Sequence, residues 1–259
     1  MDLLFADKPQ GLTTHSSRNE DERRNPLTDT DDGFLELLSV RAGVKLWPIH
    51  RLDRETFGAI AFARDRETAA RARELFEGSL VRKEYLFITD RRIDRTELEM
   101  KSFIERVGSK FVSKTEGQNQ PNSETRFELV RTSGRFALWR ARPSTGKPHQ
   151  IRLHAESAGI PILGDTLHGG SQFPSLSLMS RMLEIEGQRH EVSLPIWFER
   201  LELLNDTRIC RWLAAIERRD RWWKSLALAG LDASGTTARR VVHSDGDPLR
   251  IEILGDVAW

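Results

Sequence analysis

The stretch His50-Arg51-Leu52-Asp53-Arg54-Glu55-Thr56 carries more information than any other part of this chain. A second informative stretch, Gly146-Lys147-Pro148-His149-Gln150-Ile151-Arg152-Leu153-His154, lies far from it in the sequence. Between them lies Lys83-Glu84-Tyr85, which contains the only tyrosine of the 259 residues. Together the three segments supply a carboxylate, an aromatic ring and a guanidinium. These are the parts of a site in which positive charge keeps a carboxylate ionised.

Asp53 is flanked by Arg51 and Arg54. Adjacent positive charge keeps an aspartate ionised even when it is partly desolvated, so this residue is suited to act as a nucleophile or a general base. An arbitrary Arg-Leu-Asp-Arg is more often a salt-bridged aspartate at a helix cap or a turn. The flanking residues alone therefore leave both roles open.

Positive charge is concentrated in the segment 131–154, which has five arginines, one lysine, two histidines and no acidic residue. The whole chain has a net charge of only +1, so it is no obvious polyanion binder. A local basic block is expected where phosphates dock. A solvated strand face with extended arginine side chains explains the same pattern.

The length and composition fit one large domain, or one domain with a small appendage. Cys210 is the single cysteine, which excludes an internal disulfide and fits a reducing compartment, so we expect a cytoplasmic protein. Charged residues lie too close to the N-terminus to leave room for the apolar run of a signal peptide. No apolar run in the chain is long enough for a membrane span.

Apolar periodicity and turn residues predict many strands and a few helices. The predicted strands are 3–6, 59–63, 81–89, 125–130, 135–142 and 192–196, and the predicted helices are 34–40, 65–78 and 148–159. The polar segment 15–32 is expected to be a long loop. Strands without regular alternation with helices predict an α+β fold, with a mixed, largely antiparallel sheet and flanking helices.

The composition changes near the end of the chain. Residues 211–224, with tryptophans among charges, predict an amphipathic helix, and residues 228–238 are rich in small polar residues. We therefore expect a main domain at 1–204, a helix and linker at 205–238, and a C-terminal extension at 239–259. The extension is either the start of a second domain or a segment that packs on the first.

No metal site is predicted. His149 and His154 are five residues apart, so on a helix they diverge by about 140° and cannot share a metal. With one cysteine and scattered histidines, zinc chemistry is disfavoured.

The ordered motifs of this chain resemble those of the RluA-type pseudouridine synthase family, over about residues 1–200. Five motifs carry the resemblance: Lys8-Pro9-Gln10-Gly11, the stretch from His50 to Thr56, Lys83 with Tyr85, the stretch from Gly146 to His154, and the stretch from Gly159 to Asp165. Any one of them alone is weak. Their order and spacing together are specific.

The resemblance implies the pseudouridine synthase catalytic fold and the isomerisation of uridine without a metal or other cofactor. Asp53 would be the catalytic aspartate, which either attacks the ribose or removes a proton from its neighbouring carbon. Arg152 would pair with Asp53 and keep it charged. Tyr85 would stack on the uracil of a flipped nucleotide.

The resemblance also implies a substrate-binding set. Arg51 would enter the space that a flipped nucleotide leaves. The other members are Arg54, Lys147, His149, Gln150, Ile162 and Leu163. His149 and Gln150 equally suit an ordering role at a helix start, and the two apolar residues suit packing beneath the base or in the core.

The expected partner is structured RNA, with ribosomal RNA favoured over transfer RNA, and the expected state is a monomer. Departures from the family pattern at Phe57, Lys147, Pro148, His168 and Met179 affect the expected RNA contacts rather than the catalytic set. Residues 240–248 weakly resemble the opening of a methyltransferase that acts on large-subunit ribosomal RNA. Two alternatives stay open: a catalytically silent RNA-binding module and a metal-dependent RNA hydrolase.

Overall fold

The computed structural model describes residues 1–16, 33–114, 120–206 and 208, and the backbone of three short strands near the C-terminus. Ten of the described strands form one sheet. They are β1 (Leu3–Lys8), β2 (Trp47–Pro48), β3 (Phe57–Ala63), β4 (Arg82–Thr89), β5 (Glu97–Val107), β6 (Lys110–Lys114), β7 (Ser123–Ser133), β8 (Phe136–Pro143), β9 (Leu178–Ile185) and β10 (Gln188–Glu191).

Four helices accompany the sheet in the described part of the chain. They are α1 (Phe34–Ala42), α2 (Arg66–Glu77), α3 (Gln150–Ser157) and α4 (Ile196–Glu199), with 3-10 turns at Thr166–His168 and Leu201–Asn205. The strand order is β1-β3-β9-β4-β8-β7-β5-β6, with β2 on β3 and β10 on β9. The β3–β9 pair is parallel, and the other pairs of this sheet are antiparallel. The predicted α+β class with a mixed, largely antiparallel sheet is confirmed.

Strand β3 shows why the sheet has a core on both faces. All seven of its residues are buried. Ala59 and Ala61 belong to one apolar cluster, whereas Ile60 and Phe62 belong to another. Successive side chains of a strand point to opposite faces, so a continuous apolar run is what a doubly covered strand requires. This strand follows the Asp53 segment directly and gives it a rigid support.

Helix α2 covers one of these faces. The side chain of Asp65 accepts a hydrogen bond from the Thr68 backbone nitrogen at 2.7 Å, which caps the helix start. Ala69 and Ala72 are buried against the sheet, and Gly78 follows the last turn. The prediction for 65–78 is confirmed in type and extent.

The predicted strand at 192–196 is wrong. Residues 192–195 form no strand, and α4 begins at Ile196. Pro195, with φ of −62°, lacks a backbone donor and suits the position before a helix. Strand β10 instead pairs with β9 just before this segment.

Helix α3 is shorter than the predicted 148–159. It begins at Gln150 because His149 adopts a left-handed conformation with φ of 54°, which a right-handed helix cannot include. In the main sheet, strands β2, β5, β6, β9 and β10 are additions that the sequence did not predict.

The predicted helix at 211–224, most of the linker at 228–238 and most of the loop at 15–32 lie outside the described residues. Strands β11 (Ala238–Arg240), β12 (Glu252–Leu254) and β13 (Val257–Ala258) pair in an antiparallel sheet of their own. Within the described residues, no helix has both the length and the apolar character that a bilayer crossing needs.

Candidate active site

A cavity of about 510 Å³ opens where the segment before β3, strand β4 and the start of α3 meet. Its wall includes seven of the ten residues that the sequence assigns to catalysis or substrate binding: Arg51, Asp53, Tyr85, Lys147, His149, Gln150 and Arg152. The two motifs that are distant in sequence therefore face one space.

The other three assigned residues do not line this cavity. Arg54 is exposed, and its Nε donates to the backbone oxygen of Gly11 at 2.9 Å. Ile162 and Leu163 are buried in two apolar clusters, and Tyr85 packs against the cluster that contains Ile162. Leu178 of β9, which the sequence did not single out, contributes an apolar side chain to the cavity wall.

Lys8, the last residue of β1, stabilises the Asp53 segment through hydrogen bonds to its backbone. The buried Nζ of Lys8 donates to the backbone oxygens of Pro9, Arg54 and Thr56 at 3.0, 3.1 and 2.8 Å. Burial lowers the pKa of Lys8 to about 7, although nearby carboxylates oppose this shift. The Lys-Pro-Gln-Gly turn thus fixes the backbone on both sides of residue 55.

His50 also supports this segment. Its Nε2 accepts a hydrogen bond from the Ala61 backbone nitrogen at 3.0 Å, and its ring stacks on Phe76 with centroids 4.7 Å apart. Burial, aided by the charge of Lys83, lowers the pKa of His50 to about 3. His50 is therefore a neutral acceptor that ties the segment to β3.

The charged centre of the cavity consists of Arg152, Asp53 and Asp165. Arg152 Nη1 lies 3.6 Å from Asp53 Oδ2. The Nε and Nη2 of Arg152 each donate at 2.7 Å to one oxygen of Asp165. The Asp53 side chain is 22% exposed and that of Asp165 only 1%. The carboxylate that faces the cavity is therefore Asp53.

Asp165 is a charged site residue to which the sequence motifs assigned no role. It is the last residue of the motif from Gly159 to Asp165, where an acid follows a mostly apolar run. Burial would lower the pKa of Arg152, but the hydrogen bonds and charge of Asp165, and then Asp53, raise it. The expected pairing of Arg152 with Asp53 occurs at ion-pair distance, and Asp165 is the stronger partner.

Tyr85 lies in the middle of β4, next to a register irregularity between β4 and β9. Burial raises the pKa of Tyr85 to about 12; Ser180 opposes the shift and the charge of Asp53 adds to it. The phenol therefore stays neutral near pH 7 and is a flat, uncharged surface next to the carboxylate.

Gln150 is buried and makes four hydrogen bonds within the protein. Its side-chain oxygen accepts from Thr145 Oγ1 and the Lys147 backbone nitrogen, at 2.7 and 3.0 Å. Its side-chain nitrogen donates to the Glu124 backbone oxygen and Thr125 Oγ1, at 2.9 and 3.0 Å. This amide orders the loop before α3 and has few groups left for a ligand.

The basic block at 131–154 is not a uniform cationic surface. Arg140 and Arg142 each form ion pairs with both Glu84 and Glu128, at 2.9 to 3.2 Å. Arg131 donates to the backbone oxygen of Phe198. These three arginines therefore have acidic or carbonyl partners that the segment itself lacks, supplied by strands β4 and β7 and by helix α4. The expectation that the block lies near RNA phosphates stays a prediction.

Unpaired positive charge at the cavity comes from Arg51 and Lys147. Both are exposed, and neither charged group lies within ion-pair distance of a carboxylate of the described residues. Lys83 also lines the cavity; its Nζ donates to the Thr145 backbone oxygen at 2.9 Å, and burial lowers its pKa to about 8.

The two histidines considered as a metal pair have separate environments. His154 is buried, with Nε2 at 2.8 Å from Ser102 Oγ and Nδ1 at 2.9 Å from Thr125 Oγ1. His149 Nδ1 lies 3.1 Å from His168 Nε2. Among the described residues, no cluster of three or more histidine, cysteine or acidic side chains could hold a metal ion.

Comparison with known proteins identifies the family. A family model described as RNA pseudouridylate synthase matches residues 2–157. A tRNA pseudouridine synthase C from Haemophilus ducreyi is 30% identical over 180 residues, which cover 65% of this chain and 71% of that protein. A ribosomal large subunit pseudouridine synthase C from Rickettsia bellii is 27% identical over 213 residues, which cover 77% of this chain and 68% of that protein.

The fold is also that of a solved structure, the human RNA pseudouridylate synthase domain containing 4. The TM-score is 0.60 at 24% identity, over 79% of this chain and 90% of that one. This likeness concerns the fold. Because the family model spans more than half of the chain, the protein belongs to the RNA pseudouridylate synthase family and is an RNA pseudouridine synthase, an isomerase.

Proposed function

We propose that this enzyme isomerises a specific uridine in structured RNA, with Asp53 as the catalytic aspartate and Tyr85 and Arg152 as its closest partners. One observation carries the proposal: the partly exposed Asp53 carboxylate lies 3.6 Å from an arginine that Asp165 already fixes. The guanidinium position thus does not depend on Asp53. The carboxylate keeps a cationic neighbour while it remains open to the cavity.

The space suits a flipped nucleotide. A volume of about 510 Å³ is within the range of roughly 300–1,000 Å³ that is typical of small-ligand sites. A uridine inside an RNA stack cannot reach Asp53, so the target nucleotide must leave the stack, at a cost of about a few kcal/mol. Stacking of the uracil on Tyr85 offsets part of this cost.

The reaction needs no outside oxidant or reductant. The bond between ribose C1′ and base N1 breaks, the base turns, and a bond forms between C1′ and C5. The proton on C5 leaves and N1 gains a proton, so the product is an isomer of the substrate. Asp53 takes part in these steps in one of two ways: it attacks C1′, or it removes the proton on the neighbouring ribose carbon. Both need its carboxylate form.

Arg51 and Lys147 are the cationic groups that we assign to RNA. In this proposal Arg51 enters the gap that the flipped nucleotide leaves, and Lys147 contacts a phosphate; the support is that both residues line the cavity. Both side chains are exposed, so neither has to be desolvated before RNA arrives.

The first RNA class to test is ribosomal RNA and the second is transfer RNA, since relatives named for each class match this chain. We further propose a monomer that acts in the cytoplasm, where both RNA classes occur. No cofactor is invoked in any step.

Pseudouridine mapping in cells tests the assignment. Ribosomal and transfer RNA from cells without the gene is compared with RNA from cells that express the wild type, Asp53→Asn or, as a matched control, the exposed Asp94→Asn. We expect one or a few pseudouridines to require the gene, to be restored by Asp94→Asn and to stay absent with Asp53→Asn. Restoration by Asp53→Asn at the wild-type level would overturn the catalytic assignment.

A further inference from the structure

A second cavity, of about 360 Å³, adjoins the first. His149 lines both, so the two cavities share a wall. The second cavity is formed by strand β6 with the turn before it, by α3 and by the 3-10 turn at Thr166–His168. None of the catalytic residues proposed above lines it.

The apolar wall of this second cavity offers flat and exposed surfaces. The rings of Phe111 and His149 are half-buried, with centroids 5.6 Å apart and planes tilted by 51°. Leu167 lies at the same cavity with 55% of its surface exposed. Half-buried rings beside an exposed leucine are the surfaces on which an unstacked nucleobase packs.

The acidic group of the cavity is Glu156, near the end of α3. Its side chain is 45% exposed, and Oε2 lies 3.7 Å from Nδ1 of the buried His168. Its Oε1 lies close to Gly169, where an added Cβ would come within 3.3 Å. The carboxylate therefore lies beside His168 and Gly169 and, being 45% exposed at the cavity wall, keeps acceptor sites for a ligand.

We propose that this cavity binds the base next to the target uridine and that Glu156 selects guanine there. The inference rests on the proposed function, because the neighbouring base reaches this cavity only when the uridine occupies the first one.

The choice of guanine follows from the donor pattern of the bases. A carboxylate only accepts hydrogen bonds, and it has two oxygens side by side. The pairing edge of guanine has two adjacent donors, N1–H and the N2 amino group, so it matches both oxygens. Cytosine and adenine place an acceptor beside their amino group, and uracil has one donor between two acceptors. Each of these three bases would set an acceptor against the carboxylate.

Equilibrium binding of short RNAs tests the selection. The probes are fluorescein-labelled nine-nucleotide RNAs with a central target uridine in an adenine background, in which the base on the 5′ or the 3′ side is guanine, cytosine, adenine or uracil. We expect the wild type to bind a guanine probe, on one of the two sides, about tenfold more tightly than the cytosine probe of the same side.

Glu156→Gln should remove this preference, because an amide presents one donor and one acceptor. The matched control is Glu74→Gln, another exposed glutamate in the last turn of a helix, which should keep the preference. Phe111→Leu should weaken binding of the guanine probe while the thermal midpoint stays near that of the wild type. A wild type without guanine preference, or a Glu156→Gln variant that keeps it, would overturn the proposal.

The same probes distinguish this inference from the catalytic assignment. Guanine preference is read from binding alone, and it should persist in Asp53→Asn. If Asp53→Asn still forms pseudouridine, the catalytic assignment fails and the base selection stands. If activity depends on Asp53 but the four bases bind equally well, the base selection fails and the catalytic assignment stands.

Discussion

Arg152 is bound to Asp165 by two hydrogen bonds of 2.7 Å, and through this pair it is held 3.6 Å from the cavity carboxylate of Asp53. Asp165 is buried and Asp53 is partly exposed, so the two aspartates have different roles. One fixes the guanidinium, and the other remains open to a ligand. A bidentate arginine gives this arrangement a defined geometry that lysine cannot reproduce.

Asp165→Asn tests that division. The amide has the same shape but loses one acceptor and the charge, so Arg152 should move toward Asp53 and leave part of its own charge unpaired. We expect a loss of about 3 kcal/mol in the free energy of unfolding and a rate at least about tenfold lower. Urea denaturation and single-turnover kinetics measure the two effects. A variant with wild-type stability would show that Asp165 is not the anchor of Arg152.

In the proposed mechanism Tyr85 acts through its ring and not through an ionised hydroxyl. Burial raises its pKa to about 12, so the hydroxyl stays protonated across the working pH range. Tyr85→Phe should keep the rate within about threefold, whereas Tyr85→Leu should lower it by about 10- to 100-fold, since stacking of a base on an aromatic ring contributes about 1–3 kcal/mol. A pH–rate profile of the phenylalanine variant from pH 6 to 9 should parallel that of the wild type. A large loss with phenylalanine would point to proton transfer by the hydroxyl instead.

Lys8 should make the stability depend on pH. Its folded pKa is about 7 and its ordinary value is 10.5, so between these values the unfolded chain binds more protons than the native protein. The free energy of unfolding therefore rises as the pH increases from 7 to about 10.5. The contribution of Lys8 is fully present above that pH and is lost as the pH falls toward 7. From pH 7 to 9 the wild type should gain about 2 kcal/mol relative to Lys8→Met in urea denaturation. Parallel pH curves for the two proteins would contradict a depressed pKa.

Lys147 and Arg142 should differ in their effect on RNA binding, although both lie in the basic block. Lys147 has no carboxylate partner among the described residues, whereas Arg142 pairs with Glu84 and Glu128. Lys147→Ala should lower the slope of log Kd against log salt concentration by about 0.7 to 0.9, and Arg142→Ala should change it much less. Fluorescence anisotropy at several salt concentrations measures the slope. Equal slopes for the two variants would show that the ion pairs of Arg142 open when RNA binds.

Local sequence signals predicted much of the fold. Helix α2 has a capping aspartate, a regular apolar face and a terminal glycine, and all three signals lie within the helix and its caps. Strand β3 is a continuous apolar run, which is sufficient evidence of a buried strand. The elements that were missed depend on distant partners. Strand β9 mixes Ser180, Arg181 and Glu184 with apolar residues and has its strand form because β3, β4 and β10 pair with it.

The same difference separates the predictable and unpredictable parts of the candidate site. Residues such as Asp53 and Arg152 stand in motifs whose residue types already indicate chemistry. The roles of Asp165 and Gln150 depend on which partner the fold brings within hydrogen-bond distance. The ion pairs of Arg140 likewise join strands β4, β7 and β8, whose register no local pattern specifies.

The measurement that bears most directly on the catalytic assignment is single-turnover pseudouridine formation by Asp53→Asn on the RNA identified by mapping. Its RNA affinity is measured in parallel, with Asp94→Asn as the control. Asparagine keeps the shape of the side chain but has no carboxylate to act as nucleophile or base. We expect RNA affinity within about threefold of the wild type and a rate lowered at least about a thousandfold, the scale of a lost catalytic group. A rate within tenfold of the wild type would contradict the catalytic role of Asp53.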